Sequence, residues 1–94
     1  MTISKGDVTV ADAILARLMS TPFTAGPRKT QLLTERELRQ ATGRLRFPDH
    51  LAAEYVEYFQ SKKATAVHHE RSAVIELTVE QGVTEFKQLS GSEL

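Results

Sequence analysis

A chain of 94 residues with 40% hydrophobic and 26% charged side chains has room for one domain and the composition of an ordinary folded one. It has no Cys, which removes disulfide scaffolds, thiolate metal sites and thiol catalysis. Twelve basic and twelve acidic side chains cancel, so the chain as a whole is not a generic polyanion binder. The longest apolar run is Ala13-Ile14-Leu15-Ala16, against the roughly 20 residues a membrane span needs. The N-terminus carries no apolar stretch of the signal-peptide kind. The expectation is a single domain over residues 1–94 with an ordered core near 8–80, cytoplasmic and without a membrane partner.

In chain order, Val10, Ile14 and Leu18 recur at helical spacing, with Leu15 and Met19 beside them. Thr9 reads as the N-cap and Asp12 as its capping partner. Pro22 pushes the preceding residue out of the α region, which places a first helix at about 9–20. Residues 22–31, punctuated by Pro22, Gly26 and Pro27, read as loop, and Gln31-Leu32-Leu33 as a short apolar rung or staple. Thr34 and Glu37 form a T-x-x-E capping box and Gly43 suits the C′ position, giving a second helix over 34–42. Leu38 and Ala41 would face its core side, and Arg36 and Arg39 would share its outer face. Leu45 and Phe47 alternate with Arg44 and Arg46 in a short extended link. Pro48 at the first helical position and Asp49 beside it open a third helix, about 48–62, with Leu51, Ala52, Tyr55, Val56 and Phe59 as its apolar face.

Residues 64–69 and 73–79 are β-prone and flank the polar turn Glu70-Arg71-Ser72, which predicts a hairpin. His68 and His69 are adjacent on a strand, so one points inward and the other to solvent. Val83 to Phe86 permits a third strand or a short helix, and Ser90 to Leu94 reads as a mobile tail. The predicted core contains Ile14, Leu18, Leu38, Leu51, Tyr55, Phe59, Ile75 and Leu77. The fold class is therefore α+β, three helices followed by a β-hairpin.

The neutral total conceals an asymmetry. Residues 22–47 hold Arg28, Lys29, Arg36, Arg39, Arg44 and Arg46 against Glu35 and Glu37, a net +4, while residues 48–94 carry a net −4. Five of those six cations are Arg, the side chain that makes planar bidentate contacts to phosphate and carboxylate.

The order helix, short apolar segment, helix, helix, hairpin resembles the winged helix-turn-helix domains of bacterial and phage regulators, over about residues 8–80. The resemblance implies a transcription regulator whose third helix enters the major groove and whose hairpin, the wing, lies along the backbone or minor groove. Here that third helix would present Asp49, His50, Glu54, Glu57 and Gln60, and the link from Thr42 to Phe47 is longer than the usual three or four residues. Duplex contact would therefore fall to Arg28, Lys29, Arg36, Arg39, Arg44 and Arg46, with His50 and Gln60 as further base-reading side chains. The alternative is a protein-binding adaptor or inhibitor of phage or mobile-element type, using Glu54, Glu57 and Tyr58 as its contact surface.

No G-x-x-x-x-G-K-[ST], G-x-G-x-x-G, G-x-S-x-G or H-E-x-x-H occurs. The expectation is thus no catalytic residue, no cofactor and no metal. Duplex DNA or a protein is the expected partner, and a homodimer would enlarge a modest core.

Overall fold

The computed structural model describes residues 3–86. Its elements run α1 (Lys5–Ser20), β1 (Arg28–Thr34), α2 (Glu35–Thr42), α3 (Asp49–Ser61), β2 (Thr65–His69) and β3 (Val74–Glu80). Among the described residues this is a small α+β fold with three helices and one antiparallel sheet of order β1-β3-β2. The order is helix, strand, helix, helix, strand, strand, rather than three helices followed by a hairpin.

The extra strand corrects the reading of residues 22–31 as loop. β1 pairs with β3 along its whole length, from Arg28 opposite Glu80 to Thr34 opposite Val74. Of its seven residues only Leu33 is buried. The strand therefore lacks the apolar alternation that announces one, and pairing with β3 holds it. β2 pairs with the other edge of β3, Ala66 opposite Leu77. The central strand places Ile75, Leu77 and Val79 on the helix side, each 1% exposed or less.

Helix α1 begins four residues before the predicted start. Ser4, not Thr9, is the N-cap: its hydroxyl accepts from the Asp7 backbone N–H and donates to the Asp7 carboxylate. Thr9 instead lies inside the helix, with its hydroxyl donating back to the Lys5 carbonyl. The α2 cap follows the expectation. Thr34 Oγ1 accepts from the Glu37 backbone N–H at 3.1 Å, and Gly43 takes the left-handed conformation at φ 72°. Ala41 is exposed, so this short helix buries only Leu38. Pro48 is the N-cap of α3 rather than its first helical residue, with its carbonyl accepting from the Leu51 and Ala52 backbone N–H groups.

All eight residues expected in the core are buried, joined by Leu15, Leu33, Phe47 and Val79. Tyr55 stacks edge-on between Phe47 and Phe59, at centroid separations of 5.2 and 6.2 Å. After β3 the chain turns back instead of forming a strand or helix at 83–86. The Gln81 backbone N–H donates to the Pro27 carbonyl, the Glu85 backbone N–H to the Lys62 carbonyl, and Thr84 is buried between them. The ordered core thus extends past residue 80. The tail expected at Ser90 to Leu94 lies outside the described residues.

Candidate functional site

The basic residues of the middle segment separate into two sets. Arg28 and Lys29 sit on the edge strand β1 and contact other parts of the fold, Arg28 through a surface ion pair and Lys29 at the end of α1. Arg28 Nε pairs with Glu80 Oε1 at 3.0 Å, directly across the β1–β3 register. Lys29 Nζ donates to the Leu18 and Thr21 carbonyls at 2.6 and 2.8 Å and to the Thr21 hydroxyl, and it lies over the Phe23 ring. It thereby supplies the orphan carbonyls at the C-terminus of α1 with a cation.

The second set converges. Arg36, Arg39 and Arg44, with Gln40 and Gly43, line one shallow depression of about 280 Å³ at the C-terminal end of α2. Helical spacing brings Arg36 and Arg39 to the same side, and the left-handed turn at Gly43 folds Arg44 back toward them, its backbone N–H donating to the Arg39 carbonyl. Arg39 Nε stands 4.0 Å from Glu35 Oε1, is buried, and makes no hydrogen bond. Arg36 and Arg46 are exposed and make no ion pair among the described residues. Arg46 lies two residues beyond Arg44, on the loop that enters α3.

Arg44 also reaches inward. Its Nη2 is 2.7 Å from Asp7 Oδ2, and the other carboxylate oxygen accepts from the Tyr55 hydroxyl at 2.8 Å. Asp7 is 4% exposed. Burial alone would raise the pKa of its carboxyl; the hydrogen bonds from Ser4 and Tyr55 and the Arg44 charge outweigh that and hold it below the ordinary aspartate value. Tyr55 moves the other way, raised by burial and by donating to the Asp7 carboxylate. A node of three side chains thus ties α1, α3 and the α2–α3 loop together. Ser4-x-x-Asp7 has the spacing of a capping box, a local signal that could have revealed the cap. Nothing local announces that Tyr55 and Arg44 meet the same carboxylate.

The remaining candidates are spread along α3. His50 is exposed near its start, Glu57 is exposed and Glu54 half-buried. Gln60 donates its amide to the Ala66 carbonyl at 3.3 Å, so it faces the β2 strand. Tyr58 is half-buried, with its hydroxyl 2.5 Å from Asp12 and Lys62 over its ring. Its pKa is raised by burial and by that carboxylate. His69 pairs with Glu76 at 3.0 Å on the open face of the sheet, while His68 is half-buried opposite Ile75. Among the described residues, no group of three or more His, Asp or Glu side chains is placed to hold a metal ion. No helix among them is long and apolar enough to cross a membrane.

A scan against protein-family models and searches of curated proteins and of solved structures find no match for this chain.

Proposed function

We propose that this chain is a small, non-catalytic duplex-binding regulator of winged-helix type, with β2 and β3 as its wing. The element order α1-β1-α2-α3-β2-β3 and the sheet order β1-β3-β2 support that arrangement. The observation that carries the functional reading is the arginine surface: Arg36, Arg39 and Arg44 around one depression, with Arg46 beside it on the loop into α3. Guanidinium groups so grouped suit phosphates along a backbone. The proposed contact set is narrower than the basic segment, since Lys29 caps α1 and Arg28 lies outside the arginine depression. Base reading would rest on His50 at the start of α3, because the Gln60 amide is engaged and Glu54 and Glu57 would face phosphates at a cost. The expected binding is therefore weak and largely independent of sequence.

Four phosphate contacts give a log–log salt slope of about 3 to 4, at about 0.9 per contact. Filter binding of random-sequence duplex at two salt concentrations measures it. Arg36→Ala with Arg39→Ala should lower the slope by about 2 and weaken all sequences alike. No duplex binding by the wild type at about 50 mM salt, where such contacts are strongest, would overturn the reading.

The acidic stripe of Glu54 and Glu57 on α3 favours a second reading, a protein partner with a basic surface. In that case Glu54→Lys with Glu57→Lys should abolish partner capture while Arg36→Ala leaves it unchanged.

A further inference from the structure

The loop between α2 and α3 leaves Leu45 92% exposed, the largest exposure of any sizeable apolar side chain among the described residues. Its sequence neighbours Arg44 and Arg46 are cations; the Arg44 guanidinium turns inward to Asp7, which leaves the exposed Arg46 as the free cation beside this leucine among the described residues. The next residues of the same loop form one wall of a groove of about 370 Å³ between α2, α3 and the hairpin. Pro48 and Ala73 give it an accessible apolar rim over a floor of the buried Leu38, Phe47, Ala52 and Ile75, His68 also lines it, and Glu35 and Asp49 stand at it. Asp49 makes no ion pair among the described residues, and the nearest cation to Glu35 is Arg39 at 4.0 Å.

We propose that the occupant of this groove is a second copy of the chain, which inserts its Leu45 against the apolar lining and sets its Arg46 on Glu35 and Asp49. Two features favour a second copy over an unrelated partner. The protrusion and the groove are complementary in kind: an aliphatic side chain beside a cation, and an apolar hollow beside two anions. They are also neighbours. Three steps of chain separate Leu45 from Pro48 in the groove wall, at most about 10 Å. A two-fold axis between anchor and groove then forms both contacts at once, each copy giving Leu45 and receiving its partner's, as an isologous interface requires. One aliphatic anchor per copy makes a small interface, so the dimer is transient rather than obligate.

Sedimentation velocity over protein concentrations up to about 1 mM, where small interfaces populate, reads the association directly. The wild type should shift from monomer toward dimer with concentration. Leu45→Asp should remain monomeric; the position is exposed, so far-ultraviolet circular dichroism should be unchanged. Arg46→Glu alone and Asp49→Arg alone should each weaken the dimer by about ten-fold or more, since like charges then meet. The double variant Arg46→Glu with Asp49→Arg should recover association relative to both single variants, short of the wild type because Glu35 still faces position 46. Val67→Glu, on the open outer face of the sheet, should leave association unchanged. A wild type that stays monomeric throughout, or a dimer that survives Leu45→Asp, overturns the proposal. Loss of the dimer in Val67→Glu would place the contact on the sheet face instead. Failure of the charge exchange to recover association removes the groove as the acceptor.

Discussion

At Asp7 four side chains answer one another: Ser4, Tyr55 and Arg44 all donate to a single buried carboxylate. Truncation to Ala leaves the Ser4 cap on the residue-7 backbone N–H but removes the carboxylate that the Ser4 hydroxyl donates to, strands the Tyr55 hydroxyl in the core and frees Arg44. The Arg44 side chain is 43% exposed, so water can solvate it and the penalty stays below that of a fully buried pair. Asp7→Ala should cost about 1–3 kcal/mol, the range for an unsatisfied buried donor, read as the shift in a urea midpoint. The same carboxyl has its folded pKa depressed, so its contribution is present above the unfolded aspartate value of about 3.9 and fades as pH falls through the lower folded value. Asp7→Asn should lack that fading, giving a flatter stability curve on the acid side. The two tyrosines give the alkaline counterpart. Both are in α3, both donate to a carboxylate, and both have raised pKa values. A raised folded value means stability that is fully present below the unfolded tyrosine value of about 10 and is lost as pH rises from there through the higher folded value. Phenolate absorbance should therefore appear together with alkaline unfolding, as one cooperative step. Two independent titrations of a chain that is still folded would contradict the hydrogen bonds assigned to these hydroxyls.

Among the elements, those with a strong periodic signal were legible in the sequence and those held by partners were not. Helices α2 and α3 announce themselves through a capping box, a C-terminal Gly and a broad apolar face, and the structure keeps them within a residue of expectation. β3 alternates apolar and polar residues and becomes the central strand. β1 presents Arg, Lys, Thr and Gln before its one buried residue, so its strand character exists only opposite β3. The start of α1 was obscured because Ser4 and Asp7 lie ahead of the first apolar repeat. The candidate site follows the same division. The grouping of Arg36 and Arg39 is a matter of helical spacing, whereas the roles of Arg28, Lys29 and Arg44 depend on residues far away in sequence. Lys29 shows the consequence. Its ammonium caps α1 from β1, so Lys29→Met should destabilise the fold by about 1 kcal/mol through loss of the cation at the helix end. A thermal melt checks this. At a temperature where the variant is fully folded, its duplex affinity and salt slope should be unchanged, and a fall in slope would return Lys29 to the contact surface.

Over the whole molecule the neutral charge resolves into a cationic end, built by α2 and the loop into α3, and an acidic stripe along α3. The two proposed contacts meet on Arg46, which would hold a phosphate in one and the partner copy's Glu35 and Asp49 in the other. A guanidinium engaged by two carboxylates is neutralised toward DNA, so the duplex-binding species is the monomer and self-association opposes binding. The apparent dissociation constant scales inversely with the fraction of competent chains, so it doubles when half of them are paired. With trace labelled duplex and anisotropy as the readout, the wild-type isotherm should match that of Leu45→Ser at low protein concentration. It should rise more slowly than that variant's once the sedimentation data show wild-type dimer and variant monomer. Leu45 carries no charge and is not in the lining of the arginine depression, so its neutral replacement tests the coupling while keeping all four arginines and adding no anion beside them. An isotherm steeper for the wild type than for Leu45→Ser would mean that the dimer presents two arginine surfaces to one duplex, and that Arg46 is not shared between the contacts.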